Sequence, residues 1–176
     1  MQNVLEQFNV TIDAWIGYLD DYTLPMLCRI PAAGSWSIGR MYIHIIEDTS
    51  WFVGQIKTAL LTSDNAGKDM NDIAKLLFRN NELPDRALAN PNNIPDSRQP
   101  KTKDELSKGL LSIKEEVNEL CRTYDVSSAR GKTLHPGFQY FNALEWLQFA
   151  DMHMRHHFRQ KKRIDAMLNT APPSKK

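Results

Sequence analysis

The chain has 176 residues, 22 Lys+Arg against 21 Asp+Glu, and a formal net charge of +1. That length suits one domain and buries roughly two-thirds of the unfolded surface, so neither a disulfide framework nor a structural metal is needed for folding. At 41% hydrophobic and 24% charged residues, the composition is that of a globular protein. Near-neutral charge argues against a surface built to coat nucleic acid or anionic lipid. Two cysteines, Cys28 and Cys121, are too few for a disulfide scaffold.

The opening Met-Gln-Asn-Val-Leu-Glu has neither the basic nor the apolar region of a secretory signal. No apolar run approaches the roughly 18–20 residues of a membrane span. A cytoplasmic protein with no membrane partner is the expectation.

Four segments read as helices, and none shows convincing strand alternation. The first runs from about Val4 to Asp21, with Leu5, Phe8, Ile12, Trp15, Ile16 and Leu19 at three- and four-residue steps. Pro25 and Pro31 bound the loop after it. The second opens at Ser35 or Ser37, either a suitable N-cap, and continues to about Thr62. Its apolar stripe is Ile38, Met41, Ile45, Phe52, Ile56 and Ala59, and Ser63 to Gly67 stops it.

A long connection spans Ser63 to Lys101. Asn71 to Arg79 reads as a short helix with Ile73, Leu76, Leu77 and Phe78 as its apolar side, and Pro84 to Pro100 reads as loop. A connection of this length crosses the body of the domain or carries function. Thr102-Lys103-Asp104-Glu105 is a capping box opening the third helix. That helix runs to about Thr123 with Leu106, Leu110, Ile113, Val117 and Leu120 inward. Asp125 to Gly137 reads as loop. Asn142-Ala143-Leu144-Glu145, a second capping box, opens a fourth helix that persists to about Asn169. The expected architecture is an all-α four-helix bundle over residues 1–170, with a long crossover between helices two and three and a frayed tail at 171–176.

Three of the five histidines fall within five residues of the fourth helix, in His153-Met154-Arg155-His156-His157. At about 100° per residue, His153 and His157 lie about 40° apart on one face, one turn from each other. Trp146, Phe149, Gln160 and Ile164 share that face, and His156 lies about 60° to one side. Two imidazoles so spaced can converge on one ion at roughly 2.0–2.1 Å. His44, the one histidine on the first three helices, is the candidate third ligand, at the edge of its helix's apolar stripe. Three neutral imidazoles leave the ion's charge uncompensated and a position open for water, thiolate or a substrate oxygen. The competing reading of the spacing is a pair of core histidines bonded to carbonyls.

The segments Trp36-Ser37-Ile38-Gly39-Arg40-Met41-Tyr42-Ile43-His44 and His153-x-x-His156-His157-x-x-Gln160 together resemble the DinB/YfiT-like family of metalloenzymes. His135-Pro136-Gly137-Phe138 ahead of Glu145-Trp146 resembles a subgroup with a His-Pro-x-Phe-Gly loop, with Gln139 in place of its last glycine. The resemblance covers the chain in helix order and length. It implies a four-helix bundle, and a zinc or nickel ion on His44, His153 and His157. It also implies a homodimer and a small-molecule substrate. Characterised members include transferases that use low-molecular-weight thiols such as bacillithiol or mycothiol, and a maleylpyruvate isomerase. The expected function is metal-assisted activation of a thiol or water for transfer to, or hydrolysis of, a small electrophile: a thiol S-transferase or a hydrolase. The alternative is a non-catalytic bundle that binds or dimerises.

Further candidates surround this set. Glu47 and Asp48, three and four residues after His44, are placed to orient an imidazole through its distal N–H. Asp48 is the better aligned, and a solvated helix face is the alternative for both. Asp151 falls roughly opposite His153 and is expected in solvent. His156 is a supporting donor or a dimer-face residue, and His135 a loop residue able to fold over the site as a ligand or acid/base group. Gln160 is a candidate to bond metal-bound water or substrate. Cys28 and Cys121 read as inert thiols. Five basic residues between Asp151 and Arg163 leave the rest of the chain at −3. They complement the helix dipole, and without interleaved aromatics they do not indicate a nucleic-acid partner.

Overall fold

The computed structural model describes residues 2–85 and 98–170. Its elements are α1 (Gln2–Tyr18), α2 (Leu24–Cys28), α3 (Ile38–Leu61), α4 (Asp72–Asn80), α5 (Lys103–Thr123), β1 (Lys132–His135), β2 (Gln139–Asn142) and α6 (Ala143–Thr170), with a 3₁₀ turn at Leu19–Asp21 closing α1. The four long helices α1, α3, α5 and α6 are the four-helix bundle anticipated from periodicity. Each terminus has a local cause. Ser37, not Ser35, accepts from the Arg40 N–H to start α3, and Thr102 caps α5 through the Glu105 N–H. Asn142 and Glu145 bond reciprocally at 2.7 and 2.8 Å to start α6, satisfying two otherwise orphaned donors.

Cross-helix pairs give the directions. Trp51 and Phe52 meet Trp146, while His44 meets His153 and His157, so α3 and α6 are antiparallel. Thr11 meets Asp151, Trp15 meets Phe158 and Tyr22 meets Asp165, so α1 runs parallel to α6. Asn9 pairs with Asn118 and Asp13 with Lys114, so α1 and α5 are antiparallel. It follows that α3 and α5, consecutive among the four long helices, point the same way. Joining them requires a return along the bundle, about 36 Å for a 24-residue helix. That return is the long crossover, with α4 on it. The Pro84–Pro100 loop lies largely outside the described residues, as does the 171–176 tail.

The predicted stripes fill the core: Phe8, Ile12 and Trp15 from α1; Ile38, Met41, Ile45, Phe52, Ile56 and Ala59 from α3; Leu106, Leu110, Ile113 and Val117 from α5; Trp146, Phe149 and Ile164 from α6. Leu5, Ile16 and Leu120 pack partly buried against it. Four expectations need correction. The loop at 125–137 ends in β1, which pairs antiparallel with β2 in register Thr133↔Phe141 and Leu134↔Tyr140. Trp146 Nε1 donates to Thr133 Oγ1 at 2.7 Å and ties that hairpin to α6. The segment around Pro25 is a short helix, capped by Thr23 with proline in its first turn. On α4, Ala74 is the buried residue, whereas Ile73 (64% exposed) and Leu76 face outward. Asp151 is 1% exposed, because α6 is covered by α3 on one side and α1 on the other. It accepts from Thr11 Oγ1 at 2.6 Å and from Arg155 Nε at 2.9 Å, which is how a buried carboxylate is tolerated. No helix among the described residues is long and apolar enough to cross a membrane.

Candidate metal centre

His44 sits on the second turn of α3, and His153 and His157 sit one turn apart on α6. Antiparallel packing of the two helices brings all three together. The Nε2 atoms of His44 and His157 are 3.1 Å apart, and those of His157 and His153 are 3.2 Å apart. The three potential ligand atoms all lie within 4.8 Å of one another. Rings meet edge to face, at centroid distances of 4.6–5.2 Å. His153 and His157 are buried and His44 is half-buried, so the centre opens toward the His44 side.

Burial sets the protonation state. It holds His44 down to about 4 and His157 to about 3, and it holds His153 well below the ordinary imidazole value. All three are neutral at pH 7, each with one nitrogen lone pair free. Gln160 is nearer to this chemistry than to a substrate. Its Oε1 stands 2.8 Å from His157 Nδ1 and accepts the proton there, which directs the His157 lone pair at Nε2 into the cluster. His153 Nδ1 is buried with no partner among the described residues.

Asp48 follows His44 by one turn, but it does not reach a distal N–H. Its Oδ2 lies 3.6 Å from His44 Nε2 and 3.5 Å from His153 Nε2, on the converging side. Burial first, and the charge of Glu47 second, raise its carboxyl to about 6. Glu47 itself is exposed and contributes only this field.

An aromatic wall encloses the imidazoles. Trp36 meets His44 edge-on at 5.2 Å, Phe52 meets His153 at 5.4 Å, and Phe149 stacks on His153 at 6.4 Å. Trp51, 41% exposed, stands beside Trp146 one helical step from Phe52. Phe52 and Phe149 were legible as core residues, but their contact with the histidines depends on the helix pairing.

Of the other candidates, His156 meets the His157 ring edge-on at 5.2 Å, and His135 lies behind Phe149. His135 packs among Phe138, Phe141, Trp146 and Phe149, and its Nδ1 accepts from the Gly137 N–H at 3.0 Å. Burial lowers it to about 4. It supports the hairpin behind Phe149 rather than covering the centre. His156 turns toward the crossover, against Arg159 at 3.4 Å and the Pro84–Asp85 segment. The basic run is used locally as well: Arg159 pairs with Glu82, Arg163 with Asp85 and Lys161 with Asp165. Cys28 and Cys121 are unpaired with each other, and burial raises both thiols, which keeps them protonated.

These residues fit a divalent ion. Four-coordinate ligands held at 2.0–2.1 Å stand about 3.3–3.4 Å apart; two of the three nitrogen separations, 3.1 and 3.2 Å, are close to that value, and all three lie within 4.8 Å. Comparison with known proteins agrees with the architecture. A family profile described as the DinB superfamily matches residues 7–160. The fold is similar to that of TT2238, a four-helix bundle protein of known crystal structure, at 14% identity and a TM-score of 0.62, covering 92% of this chain and 98% of that one. No curated protein matches the sequence significantly.

Proposed function

Because the chain belongs to the DinB superfamily, we propose that it is a divalent-metal-dependent member, with His44, His153 and His157 as ligands and Gln160 as the residue that orients His157. The observation carrying this reading is the approach of three histidine ring nitrogens from two helices to within 4.8 Å of one another, with Nε2 separations of 3.1 and 3.2 Å. Imidazole donors suit zinc and nickel, which are the proposed ions. A bound ion supplies Lewis acidity, lowering the pKa of a thiol or a water so that it attacks a small electrophile.

The protein's own residues divide the remaining work. The aromatic wall of Trp36, Phe52 and Phe149 lowers the local dielectric and keeps bulk water from the buried side of the imidazoles. The half-buried His44 edge, with Trp51 exposed nearby, leaves an approach for the substrate. Thiol transfer is preferred over hydrolysis by family analogy, and the homodimer rests on the same analogy. A thiol-and-electrophile screen and sedimentation analysis test these two points.

The test of the reading itself is metal content. Elemental analysis of the purified chain gives about one ion per chain, lost in His153→Ala and His157→Ala. Undiminished metal in those variants refutes the ligand set. A protein that neither carries zinc or nickel nor melts higher when they are added favours the alternative of a non-catalytic bundle.

A further inference from the structure

We infer that Asp48 is a fourth protein ligand of the centre, which makes it a three-imidazole, one-carboxylate site. This rests on the three-histidine reading above and adds a residue to it. One oxygen, Oδ2, is shared almost equally between Nε2 atoms on two different helices, at 3.6 Å from His44 and 3.5 Å from His153. With the 3.1 and 3.2 Å imidazole separations, four of the six separations in a four-ligand set are short, and the three histidine nitrogens all lie within 4.8 Å of one another. The four short separations straddle the value of about 3.3–3.4 Å for tetrahedral ligands at 2.0–2.1 Å.

A carboxylate that merely steers a ligand imidazole bonds its far nitrogen, on the side away from the ion. Asp48 stands on the near side of both rings. A divalent ion accounts for a partly buried carboxylate in this position. Three neutral imidazoles and one carboxylate leave a net charge of +1 on the centre, which still favours an anionic nucleophile. Asp48, more exposed than His44, stands on the side from which a substrate would approach the centre.

The experiment uses the full chain stripped of metal and titrated with Co²⁺, whose visible absorption reports its ligands. Affinity is read by competition with a chelator. Wild type is compared with Asp48→Asn, which keeps the shape, and Asp48→Glu, which keeps the charge. Asp48→Asn is expected to lose about 10–100-fold in Co²⁺ affinity and to show altered visible bands, while Asp48→Glu recovers part of the affinity. Unchanged visible bands in Asp48→Asn, whatever its affinity, overturn the assignment of Asp48 as a ligand and leave the three histidines standing. Failure of the wild type to bind Co²⁺ overturns the three-histidine reading, and this inference with it.

Discussion

Replacing Gln160 with alanine removes one acceptor from the centre and leaves every proposed ligand in place. In the intact protein the His157 Nδ1 proton is held by Gln160 Oε1 at 2.8 Å. That bond fixes the tautomer whose Nε2 lone pair faces His44 and His153. Without it the imidazole either keeps its Nδ1 proton buried without an acceptor or moves it to Nε2, which then faces the cluster protonated. Loss of such a supporting contact costs about 10–100-fold in metal affinity, which is about 1.4–2.7 kcal/mol. Leaving the Nδ1–H unsatisfied costs the metal-free fold about 1–3 kcal/mol as well, lowering its melting temperature by several degrees for a chain of this size. Chelator competition with Zn²⁺ measures the first effect and thermal melting of the stripped protein the second. Gln160→Glu, which keeps the acceptor, restores most of both. The reasoning is refuted if Gln160→Ala binds Zn²⁺ within threefold of wild type.

Three further predictions concern the scaffold. A methyl group at Gly131 would overlap the Ala59 and Thr62 carbonyl oxygens at the end of α3, so Gly131→Ala should destabilise by about 2–3 kcal/mol; an unchanged urea midpoint contradicts this. Gln139 has φ +69°, a left-handed conformation that costs a non-glycine residue about 1–2 kcal/mol. Gln139→Gly should therefore raise the melting temperature by about 2–4 °C, and a lower melting temperature refutes the strain argument. Finally, the metal-free protein should be acid-labile. Burial holds His44 and His135 at about 4 and His157 at about 3, below their unfolded value of about 6.5. The unfolded chain thus takes up protons first, and stability present above pH 6.5 is lost as pH falls from 6.5 through 4. A melting temperature that is flat across that range excludes buried neutral histidines.

Much of the bundle was legible because helical periodicity is a strong signal over 17–28 residues. The Ile38–Ala59 and Leu106–Val117 stripes point inward where expected, and both capping boxes begin helices. The convergence of His153 with His157 follows from the same geometry. What was not legible depends on partners. The β1–β2 hairpin has only four residues per strand, too few for alternation to stand out. It is anchored by the Thr133–Trp146 contact, which no local pattern announces. Asp151 was misplaced because a helical wheel assumes one buried face, and α6 has two. Helical spacing sets Asp48 one turn from His44, but which side of the imidazole it approaches is decided by the distance between α3 and α6. His135 reads as a loop histidine until the hairpin folds it into the Phe141–Trp146–Phe149 cluster.

The central claim is that three imidazoles from two helices hold one ion. Equilibrium titration of the stripped protein with Zn²⁺ and with Ni²⁺, read by calorimetry against His44→Ala and His157→Ala, tests it most directly. The account predicts a stoichiometry of about one ion per chain for wild type and a loss of affinity of at least about 100-fold in each variant. Absence of binding in the wild type, or equal binding in the variants, would contradict it.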